Sequence, residues 1–287
     1  MLKRLRNKPL SLIGLGLIAS FLLVALLAPL LAPMAPNARD PYLIPQDGYT
    51  SDPTPPSSEH WFGTTEQQYD LYYGIIWGTR TAFKIGLTII SIALLVGITL
   101  GSLAGYYGGW VDEVLMRFTD IILAFPAIVL AVVIVAVLGP SLSMVVLAIA
   151  LVVWPSYARL LRADVLSVKE REFVMASRAL GATDFWILTR RVIPNAIFPV
   201  LVVASLDIGS VVITAAALSF LGLGAPAGYA DWGQLISLSR NWILGTPQNP
   251  LQFWYTAVIP GGAIFLFVLG WNLLGDAFRD ILDPRQK

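Results

Sequence analysis

The sequence predicts an all-α, polytopic membrane protein with six transmembrane helices, and three observations carry that expectation. Hydrophobic residues make up 56% of the 287 and charged residues only 13%, against roughly 25% charged in ordinary soluble domains, and mean hydropathy is +0.72. The apolar residues are strung into charge-free runs able to cross about 30 Å of hydrocarbon. The basic residues also segregate: fifteen of the nineteen Lys and Arg fall in the amino-terminal tail, at Arg117, between Arg159 and Arg191, and in the carboxy-terminal tail. Basic residues beside a span resist translocation, so both termini are expected in the cytoplasm.

Charges and Gly/Pro clusters place the spans near Leu10–Leu31, Ile85–Tyr107, Phe118–Leu138, Ser141–Ala158, Pro194–Gly222 and Phe253–Leu274. The first follows Lys3, Arg4, Arg6 and Lys8 like a secretory signal, but it exceeds a signal core of about 7–15 residues and no Ala-x-Ala site follows, which predicts an uncleaved anchor. The run Ile121–Ala158 is too long for one crossing, and Gly139-Pro140-Ser141 breaks it into a helical hairpin. Residues 1–81 therefore hold the tail, the first span and an extracytoplasmic loop with one short interfacial helix. Residues 82–287 form a five-helix core with a cytoplasmic connection over 159–195. In the first loop, His60-Trp61-Phe62 has the character of an interface anchor, with substrate contact as the other reading.

Composition excludes several functions. Cys is absent and His appears once, which removes disulfides, thiolate metal sites and His-based nucleophile chemistry, and no catalytic or metal-binding residue is proposed. A net charge of +1 gives no reason to expect nucleic acid as a partner. No Gly-x-x-x-x-Gly-Lys-Ser/Thr phosphate loop occurs, so an energy source in ATP would lie on another chain.

The connection 159–195 carries the most information. Ser167 and Glu170 stand at capping-box spacing and predict a helix from Val168 with Phe173, Ala176, Ser177 and Leu180 on one face. Gly181 supplies the left-handed residue that ends it, Thr183 or Asp184 caps a second helix, and that helix runs to about Val192, before Pro194. Such a pair suits either a lipid surface or a cytoplasmic partner. Asp120 and Asp207 stand within apolar segments, where a carboxylate is costly. Asp207 fits a polar wall of a substrate path, a proton relay or a bonded pair with another span; Asp120 fits pairing with Arg117 or solvent. Gly97, Gly101, Gly105 and Gly109 give the second span a small-residue side for close packing, or for yielding during gating.

The stretch Arg171-Glu172-Phe173-Val174-Met175-Ala176-Ser177-Arg178-Ala179-Leu180-Gly181-Ala182-Thr183, with Arg191-Val192-Ile193-Pro194-Asn195, resembles the EAA loop of importer-type ABC permeases. It is most similar to C-type subunits of the dipeptide/oligopeptide/nickel group. His60-Trp61-Phe62-Gly63-Thr64, Leu218-Ser219-Phe220-Leu221-Gly222-Leu223-Gly224, Trp232-Gly233-Gln234, Asn272-Leu273-Leu274-Gly275-Asp276, Arg279-Asp280 and Leu282-Asp283-Pro284-Arg285 extend the resemblance in the family's order. Met175 departs from the usual Glu, Gln68-Tyr69-Asp70 from Gly-Arg-Asp, and Ala215 from an acid.

The resemblance implies a type I ABC importer permease in a bacterial or archaeal inner membrane. Its implied partners are a second homologous permease subunit, an extracytoplasmic solute-binding protein, and two cytoplasmic ATPase subunits that hold the ATP and Mg; the chain itself would hold no cofactor. Coupling to the ATPases would fall on Ala176, Ser177, Leu180, Gly181, Asp184 and Pro194, with Met175 only packing. A proton-coupled secondary transporter using Asp207 and Asp120 is the alternative. Peptides are the first cargo implied, before nickel chelates or glycans.

Overall fold

The computed structural model describes residues 9–34, 38–48, 50 and 52–282. Lys3, Arg4, Arg6 and Lys8, and the Asp283-Pro284-Arg285 end of the last motif, lie outside the described residues. In order, the helices are α1 Pro9–Leu31, α2 Leu71–Tyr107, α3 Gly109–Leu123, α4 Ala127–Leu138, α5 Leu142–Lys169, α6 Glu172–Ala179, α7 Asp184–Ile187, α8 Ile193–Ala196, α9 Phe198–Phe220, α10 Trp232–Leu238 and α11 Tyr255–Leu282. A π-helical turn, Leu188–Val192, joins α7 to α8. Five helices (α1, α2, α5, α9 and α11) are long and apolar enough to cross a membrane, and α3 with α4 makes a sixth, bent pair.

The centre of the bundle is α2 against α5. An added Cβ on Gly97 would lie 2.7 Å from the Tyr157 Cβ, one on Gly101 would strike the Ala158 backbone, and one on Gly105 would come within 2.9 Å of the Arg162 carbonyl oxygen. Three of the four predicted glycines therefore let two backbones touch. Gly109 does not belong with them: it follows the break after α2, at φ +52°, with open space around its Cβ position. Around this pair, α9 packs on α2 and α5, and α11 packs on α9 and α1. Phe21, Phe83, Trp232, Phe267 and Trp271 interlock among α1, α2, α10 and α11, edge to face except for the tilted Phe21–Trp232 pair. Such ring pairs add about 0.5–1.5 kcal/mol each beyond area burial.

Four expectations need correction. α2 begins at Leu71, not Ile85, because Arg80 is absorbed into the fold: its Nε donates to the Ala25 carbonyl of α1 at 2.6 Å and its guanidinium lies over the Trp77 ring. The third span is not straight, since α3 and α4 meet at 87° around Ala124-Phe125-Pro126. Pro126 disfavours helix at the residue before it, and the two aspartates of α3 are drawn to arginines of α5. α5 does not stop at Ala158 with a new helix at Val168. It continues to Lys169, because Leu161, Val165 and Val168 remain buried and the Lys169 ammonium donates to the Gly105 carbonyl at 2.9 Å. Burial thus overrides the Ser167/Glu170 capping signal, and α6 starts after Arg171 without a side-chain cap. Finally, the loop before α2 contains no helix among its described residues.

That loop is nevertheless ordered by specific bonds. Asp70 caps α2 by accepting from the Tyr73 amide at 2.7 Å and holds His60 Nδ1 at 2.8 Å. His60 is turned inward, Phe62 packs on Tyr72, and Trp61 stays exposed. The amides of Ile44 and Ala230 tie the loop to 228–230 through the Gly228 and Tyr42 carbonyls. Gln68 sits at φ +62°, where a side chain is strained. Its amide compensates with four bonds: Nε2 donates to Thr50 Oγ1 and the Asp52 carbonyl, and Oε1 accepts from Thr54 and Thr64 hydroxyls.

Replacing Gly101 by Ala should overpack the α2–α5 contact and lower stability by about 1–3 kcal/mol. Gly16→Ala in α1, where a Cβ meets nothing within 4 Å, should be neutral or stabilising by up to about 1 kcal/mol. Thermal midpoints of the detergent-purified variants check both signs.

Candidate functional site

The segment between α5 and α9 forms a compact tip at one end of the bundle. Val174, Ile187, Leu188 and Val192 are buried and anchor it on the core. α6 ends in a Schellman turn: the Gly181 amide donates to the Arg178 carbonyl at 3.0 Å and the Ala182 amide to that of Ser177 at 3.1 Å. Gly181, at φ +82°, takes the left-handed conformation expected of it. Thr183 caps α7, accepting from the Trp186 amide at 3.4 Å. Asp184, in the first turn, accepts the Tyr106 hydroxyl of α2 at 2.7 Å.

Pro194 does not end the second helix as expected. The Ile193 amide reaches back five residues to the Leu188 carbonyl, and this π turn lets the chain continue helically through Pro194 to Ala196. The tip is thus bonded to α2 through Tyr106, runs out of α5 through a two-residue break, and leads into α9 after one residue.

The expected apolar face of α6 divides. Ser177 is buried and donates its hydroxyl to the Phe173 carbonyl at 2.8 Å. Ala176, Leu180, Gly181, Asp184 and Pro194 are exposed. Leu180 is 88% and Phe185 74% exposed, and Met175, expected only to pack, is exposed beside them. Together these side chains form an exposed apolar patch around the Gly181 turn, the kind of surface that marks interaction sites.

Asp120 and Asp207 fall on different sides of α5. Tyr157, fully buried in α5, donates to Asp207 of α9 at 2.9 Å. Asp120 pairs with Arg159 at 2.6 Å, whereas Arg117 pairs with Glu113. Tyr157 and Arg159 are about 200° apart around the helix, so the two acids cannot pass a proton through a shared contact. Asp112 adds a second strap between α3 and α5 through a two-pronged bond to Arg162 at 2.5 Å. Sequence patterning missed Tyr106, Tyr157, Arg159 and Arg162 as partners. Only Tyr157, a hydroxyl at the end of an apolar run, carried a signal, because a buried phenol seeks an acceptor.

Replacing Tyr157 by Phe should leave the half-buried Asp207 carboxylate without its donor and lower stability by about 1–3 kcal/mol. The double change Tyr157→Phe/Asp207→Leu should recover most of that loss. Thermal midpoints of the two single variants and the double variant measure the coupling.

Comparison with known proteins agrees with this architecture. Residues 97–287 match the family described as binding-protein-dependent transport system inner membrane component, and residues 1–55 match the N-terminal TM domain of oligopeptide transport permease C. A dipeptide transport system permease protein of Alkalihalophilus pseudofirmus is 42% identical over 285 residues, 99% of this chain and 89% of that protein. A probable D,D-dipeptide transport system permease protein of Escherichia coli K12 is 40% identical over 281 residues, 98% and 89% of the two chains. Among solved structures, an amino acid ABC transporter with histidines aligns with TM-score 0.53 at 19% identity, covering 73% of this chain and 94% of that one. The MetNI methionine ABC transporter, in inward-facing conformations, aligns with TM-score 0.53 at 17% identity over 72% and 96%. These two likenesses bear on the fold alone. By sequence match over nearly its whole length, the chain belongs to the family of inner membrane components of binding-protein-dependent transport systems.

Proposed function

We propose that this chain is one permease subunit of an ATP-driven peptide importer. It pairs with a second, homologous permease, receives peptide from an extracytoplasmic binding protein, and is driven by two cytoplasmic ATPase subunits that carry the ATP and Mg. The observation that carries this function is the α6–α8 tip, which exposes Leu180 and Phe185 around the Gly181 turn while its base is bonded to α2 and joined to α5 and α9. Peptide as cargo is supported by the names of the relatives, which are dipeptide permeases at about 40% identity.

The tip supplies a lever. An ATPase groove closing on Leu180 and Phe185 pushes a unit with little internal play, since Val174, Ile187 and Val192 are buried against the core. The push reaches α5 and α9 directly. These helices share the Tyr157–Asp207 bond, and α5 also holds α3 through Arg159 and Arg162. Their joint rotation exchanges an inward-open for an outward-open path, and ATP shifts that exchange by binding the two states unequally. Asp207 lines the path as a polar wall held by Tyr157, while Asp120 acts as a strap. In this arrangement both termini and the tip are cytoplasmic, and 38–70 with α10 faces outward.

Two measurements test this assignment. Leu180→Asp should abolish co-purification of the ATPase subunits while leaving the thermal midpoint of the permease unchanged, because the side chain it replaces packs on nothing. Full retention of the ATPases removes the docking role of the tip. The chain has no native Cys, so Leu180→Cys should react with an impermeant maleimide only from the cytoplasmic side and Ser58→Cys only from outside. The opposite pattern inverts the topology.

A further inference from the structure

At the tip end of the bundle, α5, α9 and the last turn of α11 enclose an open cavity of about 720 Å³. Its lining is chemically uneven. Asp164 of α5 contributes a carboxylate, Arg171 and Arg279 contribute guanidinium groups, Asn195 contributes an amide, and Phe198 and Val202 of α9 form part of an apolar wall. One Asp164 oxygen is shut away from solvent and has no hydrogen-bond partner among the described residues. Neither Arg171 nor Arg279 is ion-paired with any described residue. A carboxylate and two guanidiniums therefore share one cavity without being paired to one another. The other Asp164 oxygen is not shut away and has no hydrogen bond to any described residue, so an ammonium brought into the cavity can reach it and offset the cost of the partly buried carboxylate.

We propose that this cavity is a cytoplasm-facing binding site for a small zwitterion, with Asp164 taking a primary ammonium, Arg171 and Arg279 taking an anionic group, and the α9 wall taking short apolar side chains. Its volume lies within the roughly 300–1,000 Å³ of small-molecule pockets, and guanidinium groups suit a carboxylate through paired hydrogen bonds. A free dipeptide has this chemistry, and its identity as the ligand rests on the peptide cargo proposed above. The headgroup of an aminophospholipid shares the ammonium and the anion, so the test separates the two sources.

The location gives the site a consequence. Arg171 is the residue from which α6 starts, and Asn195 lies in α8 at the far end of the tip. A ligand held between them and Arg279 of α11 joins both roots of the tip to a helix that otherwise lies outside it. Peptide accumulating in the cytoplasm then resists movement of the tip and slows ATP turnover, which amounts to product feedback through the permease itself.

The test uses the transporter purified with its partner subunits, in nanodiscs of phosphatidylcholine and, separately, of phosphatidylethanolamine, without binding protein. Titration calorimetry with L-alanyl-L-alanine should show saturable binding of equal affinity in both lipids, and the N-acetylated, C-amidated analogue should not bind. Arg279→Gln, at an exposed helix end, and Asp164→Asn should each weaken Kd at least tenfold. Absence of binding, or binding indifferent to both substitutions, overturns the site. Binding weakened tenfold or more by phosphatidylethanolamine assigns the cavity to the lipid headgroup and overturns the peptide. Uptake of the same dipeptide into proteoliposomes supplied with binding protein reports separately on the proposed cargo. Uptake without cavity binding sinks this inference and leaves the importer intact; cavity binding without uptake does the reverse.

Discussion

The contact of α2 with α5 over Gly97, Gly101 and Gly105 fixes where almost everything else lies. In hydrocarbon no hydrophobic effect presses one helix on another, so close approach depends on shape. Because no side chain stands between them, α5 is held at backbone distance along the turns from Trp154 to Val165. Its remaining faces are then assigned. Tyr157 points to α9 and Asp207, while Arg159 and Arg162 reach the aspartates of α3. A methyl group at Gly101 would displace the helix that carries all of these bonds.

The same contact ties the peripheral tip to the centre of the bundle. The end of α2 is bonded to both sides of the tip's root, by Tyr106 to Asp184 and by the Gly105 carbonyl to Lys169. Under the proposed coupling, force entering at Leu180 would be borne by the pair of helices that pack most closely. The polar bonds along the route are few, and at its root the Tyr106 hydroxyl engages both Asp184 and Arg178 of the tip. Met175, the departure from the Glu that the resemblance implies, adds apolar surface to the tip beside the exposed Leu180 and Phe185.

Much of the fold was legible because lipid imposes a simple constraint: backbone groups must be bonded internally, so spans appear as long apolar runs. The ends of α1 and the start of α5 at Ser141 follow from that directly, and the Gly181 turn follows from glycine's access to positive φ. What failed were inferences that treat a charge or a capping pattern as a boundary. Arg80 lies inside α2 because Trp77 and the Ala25 carbonyl receive it, and Ser167 lies inside α5 because burial continues on the opposite face. The 87° break before α4 was hidden in an apolar run, although Pro126 marked it. Of the candidate site, the helix–turn–helix itself was readable from the Gly181 turn and the Thr183 cap, whereas the coupling role given to its residues came from the family resemblance. The acceptors and donors that brace it, Tyr106, Arg159 and Arg162, were not, since their partners lie 39 to 78 residues away.

Gln68 shows what a departure from a family pattern entails. It departs from the glycine that the resemblance implies, takes a left-handed backbone, and stabilises it with an amide that engages Thr50, Thr54, Thr64 and the Asp52 carbonyl. Reversion to glycine relieves the torsion but strips the three hydroxyls of that amide. The four positions therefore form one heritable unit, expected to vary together among relatives, and a chimaera that exchanges residues 50–64 without position 68 inherits a mismatch in the loop that precedes α2.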